Sequence, residues 1–421
     1  MTHYLDYAAT CPLRPSALEA WTRTQRDLAE SPGNPASLHA GGRRARRMLE
    51  DARERIGAAL GVHRSEVVFT SGATESNALA VVGGARLARC GDPRRSTVLL
   101  SALEHDAVKE QSDVLVREGF ALELLPLGSS GLVDCDPEYL EAMADRLALV
   151  SLVSVCSELG TIQAVAGLVD ALGGAGLSTD RPLIHTDAAQ ALSLLPFDFA
   201  SLGVDLASFG GHKIGAPVGT GILLVRRAMK PVTDRPGGGH ERGIRSGTPD
   251  VAGAVALAAA LEDTLAQREE AYRHALHLRT HLLAGLPENA RPSVDPANAL
   301  PSIIHLSLDT WHPEAVLMAM DAAGISVSAG SACHAGVTRP SQMLLAMGAT
   351  EAEALGVVRV STGMDTTIED IDAFLRALPQ AIRAGQALDA RETRRADRRS
   401  ASARGARLAG TPMIDSNMKE S

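Results

Sequence analysis

Short apolar runs alternate along the chain with longer stretches in which apolar residues recur every three or four positions. The short runs are typical of strands buried on both faces of a sheet, and the longer stretches are typical of amphipathic helices. Strands separated by helices in this way predict an α/β protein with a mostly parallel sheet. The predicted strands cover residues 66–70, 97–100, 148–154, 183–186, 206–209, 221–225 and 302–308.

A long helical pattern over residues 251–290 leads from this first group of elements to a second one. We therefore expect a second, smaller domain after the large α/β domain. Residues 386–421 are rich in Ser, Ala, Gly and charged residues, and this composition predicts a basic, disordered tail.

The net charge of −9 is unevenly distributed along the chain. From Arg391 to the last residue, eight Lys or Arg residues stand against four Asp or Glu, so this segment carries +4 and the rest of the chain −13. A negative body argues against broad binding to nucleic acids or acidic membranes. The basic segment is interpreted as a solubilising tail, and the alternative is a docking segment for an acidic partner.

The cysteine pattern is typical of a protein from a reducing compartment. The five cysteines are odd in number and show no paired CxxC spacing, which argues against a disulfide framework and against a zinc ribbon. The first residues lack the basic and apolar regions of a secretory signal, and no uncharged apolar run approaches the roughly 18–20 residues of a membrane helix. We therefore expect a cytoplasmic protein that binds neither a membrane nor a metal.

Lysine is scarce, since it accounts for only four of the 41 basic residues: Lys109, Lys213, Lys230 and Lys419. Lys109 and Lys230 lie in contexts typical of surface charges, and Lys419 lies in the tail. Lys213 directly follows an apolar strand, inside the glycine-rich turn GGHKIGAPVGTG. A lysine in this position can be desolvated and reach a carbonyl carbon, as Schiff-base chemistry requires, although most lysines in such turns are surface residues.

The segment EVVFT-SGATESN joins a predicted strand to the start of a helix. Free backbone N–H groups in the first helical turn, together with the hydroxyls of Ser71 and Thr74, can hold a phosphate group. An ordinary helix N-cap has the same pattern, so the motif alone leaves both interpretations open.

Asp187 stands at the end of the apolar strand in LIHTDAAQ. In one interpretation it caps a following helix, with Gln190 reaching back to complete a capping box. In the other, its carboxylate faces a pyridinium nitrogen and keeps that nitrogen protonated, so that the ring can accept electrons. The sequence alone does not separate these two roles.

Two histidines, one arginine and one cysteine add to the candidate chemistry. His105 and His212 each follow a strand, where an imidazole can stack on an aromatic cofactor or bind phosphate. Arg359 lies inside the apolar run VVRVS and needs a paired anion, for which a substrate carboxylate is a candidate. Cys333 lies in the small-residue stretch SAGSACHAG, where the neighbouring His334 could favour the thiolate.

Ten sequence blocks occur together and in a defined order. Through them the chain resembles the cysteine desulfurases of the NifS/IscS type, which are pyridoxal-phosphate enzymes of the class V aminotransferase group. The resemblance extends from about Tyr4 to residue 385. The blocks are YLDYAAT at 4–10, GNPASLHAGGRRARRMLEDAR at 33–53, FTSGATESN at 69–77, EHDAV at 104–108, SELGTIQ at 157–163, HTDAAQ at 185–190, GGHK at 210–213, GGGHERGIRSGT at 237–248, GSAC at 330–333 and VRVSTG at 358–363.

The resemblance implies pyridoxal-phosphate fold type I. A large domain of residues 15–260 would contain a mostly parallel, seven-stranded sheet between helices. Residues 1–14 and 261–385 would form a smaller α+β domain that carries the cysteine loop, and residues 386–421 the tail. The resemblance also implies a homodimer with shared active sites.

The resemblance further implies roles for individual residues toward pyridoxal 5′-phosphate. Lys213 would form the imine with the cofactor, Asp187 would pair with the ring nitrogen, and His105 would stack on the ring. Thr248 would hold the phosphate of the other subunit. The complete cofactor-binding set is Ala73, Thr74, His105, Ser157, Asp187, Gln190, His212, Lys213 and Thr248.

The implied reaction converts L-cysteine to L-alanine. Arg359 and Asn34 would bind the substrate, with Lys213 and His105 as catalytic residues. Cys333 would take the sulfur as a persulfide and pass it to a sulfur-acceptor protein. The alternatives are a selenocysteine lyase or another β-eliminating pyridoxal-phosphate enzyme, and a non-catalytic scaffold.

Seven positions depart from the pattern usual in the family, namely Tyr7, Cys11, Ser157, Gly210, Gly215, Ala216 and Val218. Ser157 stands where asparagine is common, and Gly210 stands where serine is usual. Tyr7 and Cys11 replace the usual asparagine and threonine near the start of the chain. These departures put the cofactor affinity in doubt and leave the core chemistry in place.

Overall fold

The computed structural model describes residues 2–174, 181–330 and 339–409, with side chains up to residue 395. Within these ranges the strands, numbered β1 to β12 in chain order, are His3–Tyr4, Val67–Thr70, Thr97–Leu100, Ala121–Leu124, Leu147–Ser151, Leu183–Asp187, Leu206–Gly210, Gly221–Val225, Ala290–Pro292, Ile303–Leu308, Ile325–Ser326 and Val357–Ser361. The α-helices of the same ranges, α1 to α13, are Pro15–Glu30, Ala40–Ala59, Ala73–Gly91, Asp106–Lys109, Gln111–Arg117, Pro137–Glu141, Val165–Ala171, Phe199–Leu202, Val251–Ala284, Pro313–Ala322, Gln342–Ala346, Glu351–Leu355 and Ile368–Ala409.

Seven strands form the central sheet, in the order β2-β8-β7-β6-β5-β3-β4. Strand β8 runs antiparallel to both of its neighbours, and the other strand pairs of this sheet are parallel. The prediction of a mostly parallel sheet in an α/β protein is therefore confirmed. In such sheets ligands bind beyond the carboxyl ends of the parallel strands.

The central strands are apolar throughout because both faces of the sheet are covered. In β8, Ile222 and Leu224 pack in the core that includes residues of α1, α2 and α9. Leu223 and Val225, which point to the opposite face, pack in the core that includes α3. The alternation follows from the period of two in a strand.

A second sheet, of order β12-β10-β9, is antiparallel and has a core of its own. Helix α9 contributes to both regions, since Leu257 and Leu261 pack in the core of the large sheet whereas Leu278 and Leu282 pack in the second core. The predicted domain boundary at residues 260 and 261 falls inside this continuous helix. The exact boundary therefore stays a prediction.

The structure differs from the sequence-based expectation at one edge strand of the central sheet and in the C-terminal tail. Strand β4 was not predicted, because ALEL at the edge of the sheet is partly exposed and lacks a fully apolar pattern. The predicted disordered tail begins at residue 386, but α13 continues through this region to Ala409. Residues 386–404 lack glycine and proline and are rich in Ala and Arg, which favour a helix once one precedes them.

A buried ion pair joins α2 to the loop that follows β8. Arg53 donates two hydrogen bonds of 2.7 Å to the Glu241 carboxylate and a third, also of 2.7 Å, to the carbonyl of Val67. Glu241 and Arg242 have φ of 46° and 58°, in the left-handed region that non-glycine residues seldom adopt. The ion pair therefore holds this loop in a strained conformation.

We expect Glu241→Gln to lower the free energy of unfolding by about 3–5 kcal/mol, because it leaves the buried Arg53 guanidinium with only the longer, 3.3 Å contact to the partly exposed Glu50 carboxylate. Chemical denaturation of the full chain measures this loss. The control is Glu262→Gln, which removes the half-exposed ion pair between Glu262 and Arg55, another arginine of α2. This variant is expected to lose at most about 1 kcal/mol of unfolding free energy. Equal losses of unfolding free energy in the two variants would contradict a special stabilising role of the Arg53–Glu241 pair.

The helices of the described ranges include none that is both long enough and apolar enough to span a membrane.

Candidate active site

Lys213 lies in a 3-10 turn directly after β7, at the carboxyl edge of the central sheet. Its Nζ donates hydrogen bonds to the carbonyls of Ala8 (2.6 Å) and Ala9 (2.9 Å). Burial, aided by the positive charge of Arg359, lowers the pKa of Lys213 to about 8. The amine is therefore far more often neutral at pH 7 than an exposed lysine, and a neutral amine can attack a carbonyl carbon.

Asp187 ends β6 and is nearly fully buried. It accepts hydrogen bonds from Asn77 Nδ2 (2.7 Å) and from the amide of Ala189 (3.0 Å). Burial raises the pKa of Asp187, and these two bonds with the charges of His105 and Lys213 oppose the rise. The carboxylate is thus held ready for a cationic partner.

The capping-box interpretation of Asp187 and Gln190 is wrong. Turns, and not a helix, follow β6, and the Gln190 side chain donates to the carbonyl of Ala8 at 2.9 Å. Ala8 therefore accepts hydrogen bonds from both Gln190 and Lys213.

His105 is the N-cap of α4, and its Nδ1 accepts a hydrogen bond from the amide of Ala107 at 3.0 Å. In the neutral ring the proton therefore resides on Nε2. Burial lowers the pKa of His105, with the charge of Asp187 acting in the opposite direction. A neutral imidazole that is solvent-accessible at the cavity, as that of His105 is, suits stacking on an aromatic ring.

Arg359 lies on β12 of the second sheet and is 8% exposed. Its Nη2 pairs with Asp6 at 2.9 Å and its Nη1 donates to the carbonyl of Ser157 at 2.8 Å. Its buried Nε finds no hydrogen-bond partner among the described residues. The guanidinium is thus oriented by two contacts and keeps three N–H donors, one on each nitrogen, for an anion.

One cavity of about 830 Å³ brings Lys213, His105 and Arg359 together at the junction of the two sheets. Its lining includes Ala8, Ala9, His105, Ser157, Lys213 and Arg359. Lys109 also lines it, with a side chain that is 31% exposed and pairs with Asp106 at 3.2 Å. Cys333 lies outside the described residues, but Gly330 and Arg339 on either side of it line this cavity.

The N-terminus of α3 has the character of a phosphate site. Gly72, with φ of 149°, precedes the helix and provides no side-chain cap, which leaves the first-turn N–H groups of Ala73 and Thr74 available to an anion. A Cβ at Gly210 would lie 3.4 Å from Ala73 Cβ and 3.6 Å from the His212 ring. Ala73, Gly210 and His212 are therefore neighbours, as the predicted cradle requires.

Burial and the Lys213 charge lower the pKa of His212 to about 4, so its ring is neutral.

Tyr7 and Cys11, which depart from the family pattern, line a second cavity of about 570 Å³. Lys213 also borders this cavity. Cys11 Sγ donates to the carbonyl of Lys213 at 3.0 Å, and burial raises the pKa of this thiol to about 11. Cys11 is therefore a structural thiol that supports the Lys213 turn.

Thr248 and Asn34 line neither of these two cavities in the described chain. Thr248 is exposed and lines a separate cavity with Ser71 and Arg245. Asn34 is exposed, and its Oδ1 accepts a hydrogen bond from the amide of Ala36 at 2.9 Å. The roles proposed for both residues stay predictions.

Two functional residues were not identified from the sequence, namely Asn77 and Asp6. Asn77 lies one turn after Ala73 on α3 within SGATESN, so a helical projection of that block could have placed it toward Asp187. Asp6 pairs with a residue more than 350 positions away, and no local signal predicts that contact.

Residues 3–374 match the model of the family described as Aminotransferase class-V. The chain belongs to this aminotransferase family. The IscS-like cysteine desulfurase of Mycobacterium tuberculosis is 40% identical over 386 residues, which are 90% of this chain and 96% of that protein. A solved NifS-like protein is 33% identical, with a TM-score of 0.79 over 90% of this chain and 99% of that one.

A further solved structure, SspA in complex with cysteine, is 30% identical to this class-V aminotransferase chain. Its TM-score is 0.73, over 86% of this chain and 99% of that one. Together these likenesses confirm the predicted family and the predicted fold type I.

Class-V aminotransferases use pyridoxal phosphate, and the predicted cofactor is thereby confirmed. The described residues fit this group, since a buried amine of lowered pKa, a buried carboxylate and an uncapped helix N-terminus lie at one sheet edge. In addition, Asn77 Oδ1 is buried without a hydrogen-bond partner among the described residues.

We expect Asn77→Ala to weaken cofactor binding about tenfold, since a hydrogen bond to a charged group contributes roughly 1.5 kcal/mol or more. Without the Asn77 amide the pKa of Asp187 rises further, so the carboxylate pairs less often with a cation. Equilibrium dialysis against pyridoxal phosphate measures the dissociation constant. Asn298→Ala is the control, and a loss of affinity in that variant as large as in Asn77→Ala would contradict the role of Asn77.

Proposed function

We propose that this class-V aminotransferase is a cysteine desulfurase, which converts L-cysteine to L-alanine and moves the sulfur to Cys333. The observation that carries the proposal is the cavity shared by Lys213, His105 and Arg359, which is also lined by the residues that flank segment 331–338. A carbonyl-reactive amine, an aromatic-stacking imidazole and a carboxylate-binding guanidinium are the groups that this reaction requires.

In this proposal Lys213, Asp187 and His105 hold the cofactor ring, with Gln190 and Ser157 near its hydroxyl group. Ala73, Thr74 and His212, and Thr248 of the other subunit, hold its phosphate. When bound, pyridoxal phosphate supplies an electron sink that weakens bonds at the substrate carbon atoms.

Arg359 binds and orients the carboxylate of L-cysteine. Asp6 and the carbonyl of Ser157 hold two guanidinium nitrogens, so the planar group keeps its direction and its remaining N–H groups can bind an anion. Asn34 is a further proposed substrate contact. The lowered pKa of Lys213, about 8, lets its amine take up and release protons at the substrate carbon near neutral pH.

Cys333 supplies the thiolate. The thiolate attacks the sulfur of the substrate, a new S–S bond forms, and the C–S bond of the substrate breaks. The carbon fragment gains a proton and leaves as alanine, and the transferred sulfur stays on Cys333 as a persulfide. An acceptor protein then takes the sulfur from Cys333. We also propose a cytoplasmic location for the enzyme, because a reducing compartment keeps Cys333 reduced.

We expect Cys333→Ser to lower persulfide formation and alanine release from L-cysteine by at least about 100-fold, as removal of a nucleophile does elsewhere. Alanine is quantified by chromatography and the persulfide by mass spectrometry. Cys90→Ser, at an exposed cysteine, is the control and retains both. If Cys333→Ser released sulfide at the parent rate, the protein would be a β-eliminating lyase.

The proposed active form is a homodimer. Thr248 follows the loop held by the Arg53–Glu241 pair, and it is exposed and apart from the Lys213 cavity of its own chain. This placement supports a role of Thr248 at the site of the partner.

The shared site can be tested with mixed dimers of Lys213→Ala and Thr248→Val chains. One site of each mixed dimer then combines an intact Lys213 with the Thr248 of the other chain, so activity reappears in dimers of two impaired chains. Steady-state alanine formation measures it. Mixed dimers that are no more active than the average of the two parents would exclude sharing of Thr248.

A further inference from the structure

A buried chain of hydrogen bonds crosses four adjacent strands beneath the site. Glu104, in the turn after β3, lies 3.0 Å from Ser151 Oγ on β5. Ser151 Oγ lies 2.9 Å from His185 Nδ1 on β6, and His185 Nε2 lies 2.9 Å from Ser208 Oγ on β7. All four residues are fully buried.

The chain lies next to the residues proposed to hold the cofactor. Glu104 precedes His105, His185 precedes Asp187 by two positions on the same face of β6, and Ser208 pairs in register with Asp187. None of these four residues has a part in the chemistry proposed above.

The surroundings of Glu104 favour its neutral form. Oε1 of Glu104 is hydrogen-bonded to Ser151, whereas Oε2 is buried and has no hydrogen-bond partner among the described residues. An unpaired carbonyl oxygen of a neutral acid costs much less than an unpaired oxygen of a carboxylate.

A neutral Glu104 gives the whole chain one direction. The Glu104 O–H donates to Ser151, the Ser151 O–H donates to His185 Nδ1, and the N–H at Nε2 donates to Ser208. If Glu104 loses its proton, the direction reverses. Ser151 then donates to Glu104, His185 Nδ1–H donates to Ser151, and Ser208 donates to Nε2. The only net change is the one proton lost from Glu104.

We propose that Glu104 is a positioning residue that acts as a neutral acid, sets the tautomer of His185 and leaves the negative charge beneath the site to Asp187. The inference rests on the proposed function, because it assigns Asp187 the pairing with the cofactor ring. The negative charge of one buried carboxylate makes ionisation of another nearby less favourable, so a neutral Glu104 favours the ionised form of Asp187.

The charged groups around Glu104 set the pH at which this arrangement ends. Burial, followed by the negative charge of Asp187 on β6, raises the pKa of Glu104 to about 8. The Ser151 hydroxyl, the amide of Val153 and the positive charge of Lys109 on α4 act in the opposite direction. His185 contributes no charge, because burial lowers its pKa to about 3.

The sign of the pH effect follows from these values. Below pH 8 Glu104 keeps its proton and His185 carries its hydrogen on Nε2. Above pH 8 Glu104 ionises, the hydrogen moves to Nδ1, and a second negative charge makes ionisation of Asp187 less favourable.

Infrared difference spectroscopy of the full-length holoenzyme tests the protonation state. The wild type is expected to lose a buried carboxylic-acid C=O band as the pH rises through about 8, and Glu104→Gln is expected to lack this band. Glu158→Gln, at another buried acid with a raised pKa, is the matched control and retains it. A wild-type band that Glu104→Gln leaves unchanged would overturn the proposal.

Nitrogen-15 NMR of histidine-labelled protein tests the direction of the chain. In the wild type the His185 signals change from the Nε2–H to the Nδ1–H tautomer over the pH range in which the infrared band disappears. Ser151→Ala, which interrupts the chain, removes this pH dependence while the Glu104 band remains. A tautomer that stays constant with pH in the wild type would refute the coupling.

The visible absorbance of the bound cofactor reports whether Glu104 acts on the site. The wild type is expected to show a step near pH 8, and Glu104→Gln is expected to lack the step while retaining activity at pH 7 within about twofold. Identical pH profiles in the two proteins would show that Glu104 does not act on the site. The infrared and NMR results do not depend on desulfurase activity, so failure of the proposed function would be recognised separately.

Discussion

The site depends on one constraint, which is that the charged groups at the junction of the two sheets are buried and must each find a partner. The N-terminal segment meets this requirement on both sides. Asp6 pairs with Arg359 of the second sheet, and the carbonyl of Ala8 accepts from Lys213 and Gln190 of the central sheet. The Ala8 amide donates to Ser361 Oγ at 2.9 Å, which ties the same segment to β12. A short stretch of backbone thus fixes the relative position of the amine and the guanidinium.

The fold was largely predictable because its signals are local. Strands β3 and β8 agree with the predicted residues, and β2, β6 and β7 differ by a single residue at one end, since strands buried on both faces read as continuous apolar runs. Lys213 was found in the same way, from its place after such a strand. Strand β4 was missed because an edge strand shows no such run, and the tail was misjudged because its Ser and charge content concealed good helix formers.

The site was predictable where chemistry lies within strands or shortly after them, and unpredictable where it depends on long-range pairs. Asp187, His105 and Arg359 were identified from residue type and position. Their partners were not, because Asn77 is 110 residues from Asp187 and Asp6 is 353 from Arg359. The local sequence favoured a capping box of Asp187 and Gln190. In the structure, Gln190 instead donates a hydrogen bond to the distant carbonyl of Ala8. The pairing of buried charges is a property of the fold, and short motifs do not contain it.

The titration of the site is governed mainly by burial. Desolvation is the largest cause of the lowered pKa values of Lys213 and His105 and of the raised values of Asp187 and Glu104. Burial favours the neutral forms of Lys213 and Asp187, and their mutual attraction opposes this. Binding of cofactor and substrate in the cavity of about 830 Å³, as proposed above, would expel water and strengthen these interactions. Proton positions in the layer beneath, including that of Glu104, therefore matter most in the loaded enzyme, where no solvent screens them.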